Sequence, residues 1–313
     1  MHITSIFKKS TIEMTDIEVI STKELDFNIT KGFSNLGNTC FYNATLQAIF
    51  RCKELITKLK DYDGENKLLK FLQITIVDYY NDPKVITIGP TLLLRSYRAM
   101  NTNYHGWSQE DARECLTYFL DNFDEATRKE GFHIKELFDY NLVSEITCPL
   151  CHNKVESNAH EKLILLPIKN YNNFNDALNN FLSVEVLSDD NKWTCEKCKI
   201  KVEAHKKLII KGTPKYLFIA LKRFEQEYLK DIGRIKVSKI DNDISMPDDF
   251  IINDASYKLS GVITHLGHIG GGHYVYQHKF GSEWKLFNDE SIHIIDEDEK
   301  IKNKGYVYLY ERK

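Results

Sequence analysis

The chain has 313 residues, 42% of them hydrophobic and 28% charged, and a formal net charge of −3. This length suits one large domain or two ordinary ones. The near-neutral charge excludes broad electrostatic attraction to nucleic acid or to an anionic membrane surface. No apolar run is long enough to cross a bilayer and no signal-peptide core follows Met1, so an intracellular protein, cytoplasmic or nuclear, is expected.

Residues 1–30 are mostly polar with weak periodicity and read as a short leader. From Asn38 a helical pattern begins, rich in apolar residues and free of Gly and Pro, with Asn38 or Thr39 available as its cap. Residues 65–80 form a second helix, with Leu68, Leu69, Leu72, Ile76 and Tyr79 on one face. Ser108-Gln109-Glu110-Asp111 approximates a capping box, and the helix behind it buries Ala112, Cys115, Leu116, Phe119 and Phe123.

Beyond about Phe138 the pattern changes. Tyr216–Leu221 is a continuous apolar run, as in a strand buried on both faces. Stretches 257–265, 273–280, 284–287 and 305–310 are aromatic and β-branched, separated by turn-formers. Helices followed by strands predict an α+β fold, a helical lobe packed on an antiparallel sheet. No internal repeat or long linker marks a boundary between independent domains.

Seven cysteines without a signal peptide argue against a disulfide framework. Cys148-x-x-Cys151 and Cys195-x-x-Cys198 have the spacing of a closed tetrahedral zinc site, structural rather than catalytic because no position is left for water. Two redox dithiols are the competing reading. The gap between the pairs implies that such a site ties two distant hairpins together. His152 and His160 lie nearby and are not needed as ligands.

Cys40 stands apart from Cys52 and Cys115, which read as structural. A polar, Gly-containing loop, Asn35-Leu36-Gly37-Asn38-Thr39, delivers it to a helix start, where backbone N–H groups and the helix dipole favour a thiolate. An inert buried cysteine is the commoner reading of a lone Cys, and the polar loop goes against it. Asn35 is placed to donate to a developing oxyanion. A thiol nucleophile needs an imidazole and a group that orients it. His273 follows Gly270-Gly271-Gly272 and opens a strand. A hairpin through Gly281-Ser282 would carry Asn288 across from it, with Asp289 as the rival orienter.

Three separated segments together resemble the ubiquitin-specific proteases. Gly32–Gln47 resembles their cysteine box, Gln109–Glu114 a helix start of that family, and Tyr257–Gly267 with Gly272-His273-Tyr274 and Trp284-x-x-Phe287-Asn288-Asp289 their histidine box. The paired knuckles and Leu221-Lys222-Arg223-Phe224 fit as well, so the likeness runs from about Gly32 to Tyr310. It departs from the usual pattern at Phe41, Ala44, Cys115 and Thr213, none of them nucleophile, base or metal ligand.

The resemblance implies a papain-like core: a helical thumb (about 31–138), zinc-bearing β fingers (about 139–215) and a palm sheet (about 216–313), together one catalytic domain over 31–313. It implies thiol-dependent cleavage after the C-terminal Gly-Gly of ubiquitin, with ubiquitin and ubiquitinated proteins as partners and one structural zinc ion as the metal. It is also compatible with an activating protein partner. By position Cys40, His273, Asn288, Asn35 and Asp289 are the catalytic candidates. Gln109, Asp111, Glu114, Gly272 and Tyr274 are candidates for binding the substrate tail. A protease for another Gly-Gly modifier, or a zinc-stabilised ubiquitin-binding scaffold, are the alternatives.

Overall fold

The structure, a computed structural model, describes residues 24–101, 108–229, 233–268, 271–296 and 302–313. Most of the expected leader, residues 1–23, lies outside these. Its last residues do not dangle: Leu25, Phe27 and Ile29 pack against the core.

Helices dominate the first part: α1 (Cys40–Phe50), α2 (Lys53–Leu59), α3 (Lys67–Tyr80), α4 (Thr91–Met100), α5 (Ala112–Lys129) and the short α6 (Lys135–Phe138). Two small strands, β1 (Gly32–Phe33) and β2 (Thr87–Ile88), pair in parallel beside them. Helix α1 is buried along its whole length, which is why it shows no solvent-facing polar stripe; its polar side chains Asn43, Thr45 and Gln47 hydrogen-bond to backbone carbonyls inside the core. Asn66 caps α3, accepting from the backbone N–H groups of Leu68 and Leu69 at 3.0 and 3.2 Å. The five apolar positions expected to share a face of α3 are all buried.

For α5 the five expected core positions are likewise buried, but the expected cap is corrected. Asp111, not Ser108, closes the helix: its Oδ1 accepts from the N–H groups of Arg113 (2.8 Å) and Glu114 (3.1 Å). The Ser108 hydroxyl donates instead to Glu110. A carboxylate at the positive end of the dipole is the stronger cap, so the helix starts three residues later than the serine suggested.

The remaining chain is mainly strand: β3 (Tyr140–Thr147), β4 (Lys154–Glu161), β5 (Leu163–Leu166), helix α7 (Phe174–Phe181), β6 (Val184–Leu187), β7 (Trp193–Thr194), β8 (Lys201–Val202), β9 (Ala204–Lys211), β10 (Tyr216–Leu221), β11 (Phe224–Leu229), β12 (Arg234–Lys239), β13 (Asp249–Ile252), β14 (Ala255–His268), β15 (Gly271–Phe280), β16 (Glu283–Asn288), β17 (Ser291–Ile295) and β18 (Val307–Arg312). The large sheet runs β17-β16-β15-β14-β18-β10-β5, with β13 also on β14. It is antiparallel except where β5 joins β10 in parallel. A separate sheet, β4-β3-β9-β6, and the β7–β8 hairpin form the fingers. The stretch 139–215 therefore does more than build fingers: β5 extends the palm sheet, and Phe174 and Ala177 of α7 cover its outer face.

Strand β10 explains how the two layers join. Tyr216, Phe218 and Ala220 face the helical lobe. Leu217, Ile219 and Leu221 face the second core beneath α7. Both faces are buried, so period-two alternation of polarity disappears and the run reads as uniformly apolar. Truncating Phe218, which is fully buried, would cost about 3–5 kcal/mol.

Candidate active site

The thumb and palm are joined where β1 meets the turn after β16. The Phe33 N–H donates to the Asp289 carbonyl at 2.9 Å. Gly32 lies so close to Glu290 that a Cβ there would sit 2.3 Å from its carbonyl oxygen, so only glycine permits the approach. This backbone junction brings the loop leading into α1 up against the end of the β15–β16 hairpin.

Cys40 is the first residue of α1, preceded by Thr39 in the cap position. Thr39 does not cap through its side chain. Its hydroxyl accepts from the Leu36 N–H (2.9 Å) and stays within the loop. His273 lies near the start of β15, half-buried. Its Nε2 is 2.6 Å from Asn288 Oδ1 and 4.0 Å from Asp289 Oδ2. In the pairing of β15 with β16, Tyr276 opposes Phe287, so Asn288 meets His273 diagonally across the strands rather than directly opposite. Such diagonal neighbours are within side-chain reach.

The Cys40 side chain is the largest cause of a raised His273 imidazole pKa, up to about 9 from the usual 6.5, which places the thiol within reach of the ring. Burial opposes the rise, while the Asn288 hydrogen bond and the charge of Asp289 add to it. With Nε2 given to Asn288, Nδ1 is the ring atom left for the sulfur. The residues predicted as nucleophile, base and orienter, 233 positions apart at their extremes (273 − 40 = 233), are thus brought into one constellation.

Asp289 is positioned differently from a ring orienter. Its Oδ2 accepts from Asn35 Nδ2 at 2.8 Å and its Oδ1 from Asn43 Nδ2 at 2.7 Å. Asn35 is pinned from its other end too, because its Oδ1 accepts from the N–H groups of Gly37 and Thr39 at 3.1 and 3.2 Å. The Asn35 amide carries a second hydrogen that Asp289 does not take. Asn43 also donates to the carbonyls of Phe33 and Ser34. Its part was not read from the sequence, although an asparagine within a mainly apolar helix is a signal that marks it.

Of the five residues expected to bind substrate, Gln109, Asp111 and Tyr274 line the cleft beside the site, and several have internal duties. The Gln109 amide donates to the Gly272 carbonyl at 2.9 Å and faces the Gly272 N–H at 3.4 Å, clasping the loop before His273. A Cβ at Gly272 would meet His265 Nε2 at 2.1 Å, so this glycine is sterically required. Asp111, besides capping α5, accepts from the Tyr306 hydroxyl at 2.6 Å. Glu114 is exposed and pairs with Arg113 at 2.8 Å. Tyr274 is buried against His265, ring centroids 4.7 Å apart. An open cleft of about 560 Å³ lies between these elements, lined by Asn38, Gln109, Asp111, His265 and Tyr274 among others.

At the far end of the fingers, Cys148 and Cys151 sit in the β3–β4 turn and Cys195 and Cys198 in the β7–β8 turn. Their four Sγ atoms lie within 4.8 Å of one another, with Cys148–Cys198 at 3.9 Å and Cys151–Cys195 at 3.6 Å. Tetrahedral zinc–thiolate bonds of about 2.3 Å place sulfurs about 3.8 Å apart, so the four side chains fit that ion. Neither His152 nor His160 belongs to the cluster.

A thiol at a helix start, an imidazole oriented by an amide oxygen and a pinned asparagine define a cysteine-type hydrolase on an α+β core. Comparison with known proteins makes this specific. Residues 31–310 match the family described as ubiquitin carboxyl-terminal hydrolase, and the chain belongs to that family. It is 28% identical to ubiquitin carboxyl-terminal hydrolase Usp2 of Drosophila melanogaster, over 90% of this chain and 34% of that one. It is 27% identical to ubiquitin carboxyl-terminal hydrolase 4 of Arabidopsis thaliana, over 90% of this chain and 92% of that one. The chain thus spans about a third of the Drosophila relative and nearly all of the plant one. Its fold superimposes on a chain of the SAGA Ubp8/Sgf11/Sus1/Sgf73 DUB module bound to ubiquitin aldehyde, with TM-score 0.77 and 24% identity, covering 93% of this chain and 72% of that one.

Proposed function

We propose that the chain is a thiol-dependent deubiquitinase that cleaves isopeptide or peptide bonds after the C-terminal Gly-Gly of ubiquitin. The observation that carries this is the Cys40–His273–Asn288 constellation, its Cys40 and His273 close in sequence to the cleft residues Asn38, Gly271 and Tyr274, in a chain of this family. The Cys40 thiolate attacks the carbonyl of the last glycine, and the C–S bond forms as charge moves to the carbonyl oxygen. Asn35, held by Asp289, and backbone N–H groups of the loop stabilise that charge. His273 gives its proton to the departing amine, the C–N bond breaks, and the ring then takes a proton from the water that releases the thioester. Asp289 acts through Asn35 and Asn43, while Asn288 orients the imidazole.

Gln109 and Gly272 keep the approach narrow enough for glycine residues. The carboxylates of Asp111 and Glu114 suit a basic substrate tail, and Tyr274 walls the cleft. A zinc ion held by Cys148, Cys151, Cys195 and Cys198 would cross-link the two finger hairpins and supply stability, not catalysis. The division into thumb, fingers and palm within one catalytic domain follows the two cores and the separate finger sheet. Seven unpaired thiols support an intracellular site of action, cytoplasmic or nuclear.

A ubiquitin bearing a fluorogenic C-terminal leaving group tests the reading, alongside equivalent reporters on other modifiers ending in Gly-Gly. Turnover of the ubiquitin reporter that is lost in Cys40→Ala supports it. Turnover of a different modifier alone would reassign the substrate, and binding of ubiquitin without turnover would make the chain a scaffold.

A further inference from the structure

Beside the palm sheet lies a second cleft of about 400 Å³ whose lining holds seven Lys and Arg residues against one carboxylate. It forms where the start of α2, the outer end of the β15–β16 hairpin, the middle of β14 and the end of β18 converge. Arg51, Lys53, Lys258 and Lys279 line it, with His278 and Ser260 between them. The carboxylate in the lining, Glu311, is already taken by Lys215 at 2.9 Å. Likewise Lys313 is paired with Asp249 at 3.0 Å. Among the described residues no acid pairs with the four cations named first.

Arg51 is the informative member. It is 4% exposed, and its Nε is buried without a hydrogen-bond partner. The rest of its guanidinium donates to the carbonyls of Phe27 and Ile29 and to the Tyr79 hydroxyl, and lies 4.9 Å from the centre of the Phe280 ring. These partners fix its position but carry no full negative charge. A buried guanidinium held without a counter-ion is costly unless an anion reaches it. Lys53 and Lys258 are exposed and Lys279 half-buried, and Lys53 and Lys279 rest over the Phe27 and Trp284 rings, each at 5.8 Å, contacts that supply no full negative charge. Several cations around one compact cavity suit a small molecule with several phosphate groups better than a single carboxylate.

We infer that this cleft is a binding site for a compact polyphosphate, either free or carried on a lipid headgroup. The site sits at the far ends of the two elements that bear the catalytic couple. Arg51 directly follows α1, which starts at Cys40, and His278 lies on β15, five positions beyond His273 (278 − 273 = 5).

Calorimetric titration of the full chain with inorganic tripolyphosphate is the test, with sulfate at equal ionic strength as control. Saturable binding of tripolyphosphate is expected, weakened about tenfold or more in Lys258→Glu/Lys279→Glu, since each lost charge-assisted contact is worth roughly a factor of ten. Both substitutions are outside the core, and circular dichroism checks that the variant is folded. Co-sedimentation with vesicles carrying a bisphosphorylated inositol lipid forms a second arm. Capture there as well places the phosphates on a headgroup, and capture of tripolyphosphate alone makes the ligand a free metabolite. No saturable binding by the wild type, equal binding by the folded variant, or binding of an acidic peptide in place of tripolyphosphate would each overturn the proposal.

Discussion

Asp289 holds Asn35, not His273: its carboxylate accepts the Asn35 amide at 2.8 Å and stands 4.0 Å from the imidazole. Two adjacent residues thus divide the work. Asn288 contacts the ring, and Asp289 holds Asn35, the residue proposed above as the oxyanion donor. Asn288 is the last residue of β16, whereas Asp289 opens the turn with a positive φ of 48°, so the two side chains leave the backbone in different directions and find different partners.

This division predicts a coupled pair. Asn35→Ala should lower kcat by about 10²–10³, the usual effect of losing one oxyanion donor, with little change in KM. Asp289→Ala should lower kcat by a similar factor. Because one residue acts through the other, the double variant should fall little further than either single one. Multiplied effects in steady-state kinetics would show that Asp289 works by another route.

The imidazole gives a pH prediction. Its pKa is raised to about 9 through Cys40 first and Asn288 second. A raised pKa means that the interaction stabilises the protonated ring. Its contribution is fully present below about 6.5 and fades as pH rises through about 9. Turnover of the ubiquitin reporter should accordingly decline on the alkaline side near that value. Asn288→Ala should move this limb to lower pH, because one of the contacts that favour the charged ring is removed. An unchanged limb in a pH–rate profile would separate Asn288 from the ring.

Asp111 carries two duties that a pair of substitutions can part. Asp111→Ala removes the cap of α5 and should cost about 0.5–2 kcal/mol in thermal unfolding. Asp111→Ser retains a capping oxygen and should recover the capping part of that stability, though not the bond from the Tyr306 hydroxyl. If the carboxylate also meets a basic substrate tail, the Ser variant should still show a raised KM. A KM equal to wild type in Asp111→Ser would leave Asp111 as a cap alone.

The finger cysteines predict bound metal. Elemental analysis should find one zinc per chain. Cys195→Ser should lose it and unfold at lower temperature, with the loss of protection in hydrogen exchange concentrated in β3, β7, β8 and β9. Full stability and an intact finger sheet in a metal-free chain would contradict the structural role.

Much of this was legible in the sequence because the motifs are local. The loop before Cys40, the two Cys-x-x-Cys turns and the glycine before His273 each carry their geometry within a few residues. The apolar faces of α3 and α5 followed from helical period alone. Relationships between distant backbones were not legible. Gly32 reads as an ordinary loop glycine until Glu290 is placed against it, and nothing near Asn43 in the chain announces a bond to Asp289. The α5 cap is Asp111 and not Ser108 because the helix starts at Ala112, so the open N–H groups are those of Arg113 and Glu114, two and three residues beyond the aspartate. The segment 139–215 seemed a uniform insert because β5 is short and its partner, β10, comes about fifty residues later.

The central claim is that Cys40 and His273 act as one reactive couple, and covalent capture tests it most directly. Ubiquitin with an electrophile in place of its terminal carboxylate should label the chain once, with peptide mass analysis placing the adduct on Cys40, and labelling should slow sharply in His273→Ala. An adduct on Cys52 or Cys115, or unchanged labelling without the histidine, would contradict the account.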